Sequence, residues 1–272
     1  MLSVIIPASN EAGYIAECLR HLCASDLDGA QVIVVANGCH DATAAVARAA
    51  LAAHLPPGWT GRVIELDTGS KPRALNTGDD AAEHAIRVYL DADVTVSPGL
   101  LSALWQALRG EAPRYASGTA VIPPAKSAVT RAYARFWQRL PFNQMPAPGY
   151  GLFAVNAAGR ARWGAFPALI SDDTFVRLQF APQERVQVGE PYLWPMIEGF
   201  AALTRVRRRQ DAGVRELQRL YPALLTQEGK PPLTTLALAR LILSDPAGFA
   251  AYAAVSLAVR RRRGGAGFTR GR

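Results

Sequence analysis

The sequence predicts an α/β protein with a mostly parallel sheet covered by helices on both faces. Two observations carry that prediction. Four strand-like segments within the first 110 residues each lead into a helical pattern, and these segments are continuously apolar rather than alternating. Strands buried on both faces read this way, and repeated βα units place them parallel.

The elements follow in order. Residues 2–6 (LSVII) form a buried strand that Pro7 ends. Ser9 or Asn10 caps a helix whose Ile15, Cys18, Leu19 and Leu22 keep the i, i+3, i+4, i+7 spacing. Residues 31–36 are a second strand, Asn37-Gly38 turns the chain, and Asp41 caps an Ala-rich helix running to about 53. A Pro-Pro-Gly loop precedes strand 62–66, and a loop ending near Lys71 precedes helix 72–84. Strand 87–90 runs into Asp91-Ala92-Asp93, and Ser97-Pro98 opens helix 98–109. After residue 112 the rhythm changes to a strand at 114–122, a basic amphipathic helix near 126–140, and a Pro/Gly loop at 141–151. Further mixed-sheet strands belong here, and from 198 the chain is mostly helical. The division is 1–220, with halves 1–110 and 111–220, and a helical basic extension at 221–272.

With 272 residues, the chain is large enough for one to two domains and a core without staples. Half its residues are hydrophobic and 19% are charged, which excludes disorder. The net charge of +8 is local: six arginines at 260–272, and six at 205–219 against two acids, leave the remainder at −2. No face of the main body is thus predicted to track nucleic acid. The three cysteines, Cys18, Cys23 and Cys39, lack metal spacing and read as reduced thiols. The chain opens into an apolar strand without a basic leading segment, and no apolar run reaches about 20 residues, so the expected location is cytoplasmic.

In open α/β sheets ligands sit beyond the carboxyl ends of the strands. Asn10-Glu11, Asn37 to Asp41, and Asp91-Ala92-Asp93 stand at such ends. Neither a G-x-G-x-x-G turn nor a Walker lysine loop is present, so the ligand is held differently. Asp91 and Asp93, one small residue apart, suit a hard divalent cation that keeps phosphate oxygens in its shell; alternatively one caps a helix and the other is a solvated loop acid.

Taken together, SVIIPASNEAGYIAECL, VIVVANGCHDAT, GSKPRALNTG and VYLDADVTVSPGLL, in this order and spacing, resemble the glycosyltransferase family 2 domain. The resemblance is specific over residues 2–110, and implies the GT-A nucleotide-diphospho-sugar transferase fold. It implies that Pro7, Ala8, Asn10 and Glu11 line a nucleoside pocket, with Glu11 near base or ribose. It gives Asn37 and Asp41 to the same donor site, where the family usually has acids at Ala36 and Asn37; helix capping accounts for Asp41 equally well. Lys71, one of three lysines, is implied near the donor phosphates or base, with a solvated loop lysine as the alternative. Asn76 packs or caps. A Mg²⁺ or Mn²⁺ ion held through Asp93, with Asp91 close by, is the implied cofactor.

By the same resemblance, Asp172-Asp173 in LISDDTFVR stands at the family's second carboxylate motif, with Asp173 the catalytic base ahead of Asp172. A helix start capped by Ser171, with both acids favoured by the macrodipole, explains these residues too. The reaction implied is inverting transfer of a sugar, UDP-linked by preference over GDP-linked, to an acceptor hydroxyl on a glycan or lipid-linked molecule. A sugar-phosphate nucleotidyltransferase lacks support, since PASNE is not the Gly-rich loop of that chemistry. A non-catalytic nucleotide-sugar-binding or scaffold protein is the other alternative.

Of the four histidines, only His40 lies near the proposed pocket. The 141–151 loop covers the acceptor site or merely connects. Trp163, Trp194 and Tyr150 read as core aromatics before sugar-stacking ones. Arg205, Arg207, Arg208 and Arg209 form a solvated basic face or a contact for diphosphate. No Q-x-x-R-W motif or transmembrane bundle is present, which argues against a polysaccharide synthase. Segments 233–244 and 247–259, ending in Arg260 to Arg263, read either as an interfacial pair anchored on anionic lipid at the inner face of the membrane or as a hairpin packed on the main domain.

Overall fold

The computed structural model describes residues 1–261; Arg262 and Arg263 of the expected basic run, and the tail after them, lie outside the described residues. The first half runs β1 (Leu2–Ala8), α1 (Ile15–Cys23), β2 (Ala30–Asn37), α2 (Thr43–His54), β3 (Thr60–Leu66), α3 (Lys71–Asp80), β4 (Ile86–Leu90), the short β5 (Thr95–Val96) and α4 (Leu100–Leu108). The second half continues with β6 (Tyr115–Val121), α5 (Ala128–Trp137), β7 (Leu152–Val155), α6 (Ala157–Arg160), α7 (Asp172–Arg177), β8 (Arg185–Leu193), α8 (Phe200–Leu220), α9 (Thr235–Ser244) and α10 (Pro246–Arg261).

One eight-stranded sheet has the order β3-β2-β1-β4-β7-β6-β8-β5. The β1–β4 group is parallel, β7 is antiparallel to both β4 and β6, β8 is parallel to β6, and β5 is antiparallel to β8. Register makes one core on each face. Val4 stands beside Val32 and Val88 and faces α1, α2 and α4, whereas Ile5 stands beside Ile33 and Tyr89 and faces α3 and α7. On α1 the expected stripe Ile15, Cys18, Leu19 and Leu22 is the buried one. Each of its large aliphatic residues gains about 1.5–3 kcal/mol from burial.

Several boundaries depart from the sequence pattern because side chains are used elsewhere. β1 continues through Pro7 to Ala8, with Pro7 opposite Val35. Neither Ser9 nor Asn10 caps α1, which starts at Ile15. Asn10 takes φ +59°, and its Oδ1 accepts the His40 N–H at 2.8 Å. Ser97 donates to Glu190 at 3.0 Å instead of capping, and α4 starts at Leu100. Helix α3 stops at Asp80 rather than 84: the buried Gln31 amide donates to the Ala81 carbonyl (3.2 Å) and accepts the Glu83 N–H (2.9 Å), taking groups a further turn would use.

Among the described residues no single helix is long and apolar enough to cross a membrane, and α9 and α10 meet at a bend of 115°. α10 packs on α5 and α8, with Val255 and Val259 buried against Tyr133 and Leu203, whereas α9 buries none of its residues.

α3 carries Lys71 and presses on β1 through Gly78, where a Cβ would lie 2.4 Å from Cγ2 of the fully buried Ile5. A branched side chain in a strand cannot swing aside. Gly78→Ala is therefore expected to cost about 1–3 kcal/mol, read as a lower urea midpoint with an unchanged slope.

Candidate active site

The carboxyl ends of β1, β2 and β4 lie along one edge of the sheet, and the loops leaving them are stitched together by Asn37. Its Nδ2 donates to the Ala8 carbonyl at 2.9 Å, and its Oδ1 accepts the Ser70 N–H at 2.9 Å, with 3% of the residue exposed. An aspartate at position 37 could accept from Ser70 but could not donate to Ala8. Asp41 makes a similar stitch: its carboxylate accepts the N–H groups of Thr43 (3.0 Å) and Ala12 (3.2 Å). Burial works to raise the Asp41 carboxyl, but the Thr43 hydroxyl and these backbone N–H groups together outweigh it and hold the group below the usual aspartate range.

These loops form one wall of a cleft of about 340 Å³, lined by Pro7, Asn10, Glu11, Asn37, Lys71, Asp91 and Asp93. Ala8 and Asp41, expected in the donor site, are not part of that lining: the Ala8 side chain is wholly inside the core, and Asp41 is engaged in its turn. His40 is likewise absent from it. The opposite wall comes from Tyr133 and Trp137 of α5, Trp194 to Ile197 after β8, and a face of α8. Trp194 stacks on Trp137 (ring centroids 5.8 Å) and lines the cleft, while Trp163 packs in the core against Phe166. The 141–151 loop contributes Gly151, at φ +76°, whose carbonyl accepts the Asp91 N–H at 2.9 Å. A Cβ there would lie 2.5 Å from Trp194, so the loop reaches both walls only as glycine.

Lys71, from the first turn of α3, joins the acids of two distant segments. Its Nζ lies 3.0 Å from Asp91 Oδ1 and 3.2 Å from Asp172 Oδ2. Asp172 and Asp173 open α7; Ser171 precedes them, but its hydroxyl makes no capping bond. Asn76, on α3, fixes the approach to α7 by accepting the Phe166 N–H (2.6 Å) and donating to its carbonyl (3.2 Å). The Asp172 side chain is 6% exposed, and that of Lys71 35%. Burial, reinforced by the charges of Asp173 and Asp91 and opposed by Lys71, pushes the Asp172 carboxyl up to about 6. Burial works against the Lys71 ammonium, yet Asp172, Asp91 and Asp173 outweigh it and hold the group above the ordinary lysine range. Asp173 is more open than Asp172; its Oδ1 accepts the Thr174 N–H at 2.6 Å, and it lines a recess of about 20 Å³ with Lys71, Asp91 and Asp172. Beneath Asp91 and Asp93, burial and then those two charges keep the Cys18 thiol neutral.

Among the described residues no three His, Cys, Asp or Glu side chains gather as a metal cage. Asp91 and Asp93, both half-buried, line the cleft. Such a pair fits a hard cation that completes its shell with ligand phosphate and water.

The second wall was legible in the sequence only in part, through Arg207 and Arg209 of a cluster read as a solvated face or a diphosphate contact, and through Trp194, read as core before sugar-stacking. Leu203, Val206, Arg207 and Gln210 of α8 keep an i, i+3, i+4, i+7 spacing that marks one face, but nothing local says the face meets a ligand. Arg207 and Arg209 thus belong to the cleft, whereas Arg208 turns toward α10 and donates to the Ala258 carbonyl at 3.4 Å.

The Lys71 bridge generates a pH-dependent expectation. In Lys71→Met the buried Asp172 loses its counterion, costing about 1–3 kcal/mol once the partial exposure of Lys71 is discounted. Since the folded Asp172 pKa is raised from 3.8 to about 6, its contribution to stability is full below about pH 4 and declines as pH rises through 6. Removing Lys71 deepens that decline. The fall in thermal midpoint relative to wild type, in chelator-treated buffer, is expected to be larger at pH 8 than at pH 5; an equal fall would contradict it.

The fold has counterparts among solved structures. The chain resembles in fold the mannosyltransferase PcManGT from Pyrobaculum calidifontis in complex with GDP-Man and Mn²⁺ (TM-score 0.61, 20% identity, covering 98% of this chain and 76% of that one). It also resembles S. aureus TarS 1-349 in complex with UDP-GlcNAc (TM-score 0.55, 16% identity, 95% and 81%). A third similar structure is glucosyl-3-phosphoglycerate synthase from Mycobacterium tuberculosis with Mn²⁺, UDP and glucosyl-3-phosphoglycerate (TM-score 0.55, 20% identity, 85% and 81%). No curated relative matches in sequence. The family model Glycosyl transferase family 2 matches residues 3–163, more than half of the chain, and the sheet, its helices and these neighbours are those of the GT-A fold: the chain belongs to glycosyltransferase family 2.

Proposed function

We propose that this chain transfers a sugar, with inversion, from a nucleotide-diphospho-sugar to an acceptor hydroxyl. The observation that carries the reading is the Lys71 bridge, which sets the acids after β4 and the acids opening α7 within one ammonium's reach at the edge of the cleft. Pro7, Asn10 and Glu11 bound the nucleoside, with Asn37 as the residue that holds their loops in place. UDP is the preferred nucleotide and GDP the alternative; the similar structures include complexes with each.

Asp93 and Asp91 would hold a Mg²⁺ or Mn²⁺ ion, which supplies charge neutralisation for the departing diphosphate. The remaining work belongs to side chains. The acceptor oxygen attacks the anomeric carbon and gives its proton to the Asp173 carboxylate. The bond from that carbon to the diphosphate oxygen breaks, and its electron pair leaves with the nucleoside diphosphate. Asp173 suits the base better than Asp172 because it is the more open of the two and is not paired to Lys71. Asp172 is a positioning residue in this reading. Residues 1–110 serve the donor and 111–220 the acceptor, a glycan or lipid-linked molecule. Of the extension at 221–272, the unburied apolar α9 and the basic end of α10 would meet anionic lipid at the inner face of the membrane, with α10 itself remaining packed on α5 and α8.

Asp173→Asn is expected to lower transfer by about 10²–10⁴-fold while UDP binding is unchanged, measured by product formation and calorimetry with a panel of UDP- and GDP-sugars. Transfer that survives the substitution would remove Asp173 from the base role. Asp93→Asn is expected to abolish the increase in UDP affinity that Mn²⁺ or Mg²⁺ brings; a UDP affinity indifferent to either ion in the wild type would end the cation assignment.

A further inference from the structure

We propose that the far wall of the cleft is an acceptor subsite for an anionic amphiphile, an apolar chain joined to a phosphate. The inference rests on reading the opposite wall as the donor site. Val206 of α8 and the half-buried Trp137, Trp194, Met196 and Ile197 present aliphatic and aromatic surface to the cleft. A saccharide pressed against aliphatic side chains leaves its hydroxyls without partners, whereas an apolar chain loses nothing there and sheds water.

The charges on this wall are positive. Arg209 lines it and has no carboxylate partner among the described residues. Arg207 is fixed in place by Asp211 (2.8 Å), by the Tyr133 hydroxyl (3.3 Å) and by the Tyr252 ring beneath it (5.6 Å). Guanidinium groups suit phosphate, and those held in advance lose less freedom on binding it. The donor wall instead carries Glu11, Asp91 and Asp93, so an acceptor anion is repelled there and attracted here. α9 is tied to the end of α5 by the Arg139–Ser244 bond (2.7 Å), and leaves Leu236 and Leu243 62% and 82% exposed.

The test is calorimetric titration of the full chain with farnesyl phosphate, farnesol and inorganic phosphate, each with and without UDP and Mn²⁺. Farnesyl phosphate is expected to bind at least about tenfold more tightly than either of the others and to bind alongside UDP. Arg209→Gln should weaken farnesyl phosphate by about tenfold and leave farnesol and UDP unaffected, with Arg209→Lys recovering part of the loss and thermal midpoints checking that both variants fold. Farnesol binding as tightly as its phosphate, inorganic phosphate doing so alone, or Arg209→Gln weakening UDP in place of farnesyl phosphate would each overturn the subsite. Failure of UDP to bind would overturn the donor reading instead, and the farnesyl phosphate titration without UDP still reports on this wall.

Discussion

An ammonium group shared by carboxylates from two separate segments fixes the geometry of the whole cleft. Lys71 sits at the start of α3, Asp91 at the end of β4, and Asp172 at the start of α7. Without the cation, three acids including Asp173 would repel one another at a poorly hydrated edge, and the buried Asp172 would resist ionisation. With it, the start of α7 is held against the end of β4. The bridge is only as well placed as α3, and α3 is set by the close approach of Gly78 to Ile5.

Around that bridge the loops are held by side-chain amides and carboxylates rather than by secondary structure. Asn37 ties the end of β1 to the loop entering α3, Asp41 ties the loop after β1 to α2, and Asn76 ties α3 to the chain entering α7. These residues stand where polar groups at strand ends suggest ligand contact, yet several are spent on the scaffold. Asn37 shows why the distinction matters. It lines the cleft, but one amide N–H and its carbonyl oxygen are already engaged by the scaffold, so its first contribution is to hold the loops in place.

The two walls of the cleft differ in chemistry because they come from different parts of the chain. One is made of polar residues at the ends of parallel strands, the usual ligand edge of an open α/β sheet. The other is made of helices that follow the sheet, and its aromatic, aliphatic and arginine side chains are backed by α10 packing on α5 and α8. On the proposed reading one surface serves a donor and the other an acceptor, so the two would not compete for the same groups.

The sequence by itself determined the parallel half-sheet, the buried stripe of α1 and the family, because each is encoded by short-range spacing or by a contiguous motif, and it singled out the acids at 91, 93, 172 and 173 as candidates. It misplaced the starts of α1 and α4 and the end of α3, since Asn10, Ser97 and Gln31 bond to residues far along the chain and local propensity cannot register that. Only the tertiary structure decided that Ala8 and Asp41 leave the cleft lining, that Lys71 joins Asp91 to Asp172 across 101 residues of separation between it and α7's first residue, and that Arg207 and Arg209 line the same cleft as Glu11, Asp91 and Asp93. Those facts are pairings between segments distant in sequence, and such pairings exist only once the sheet order and the packing of helices on it have been fixed.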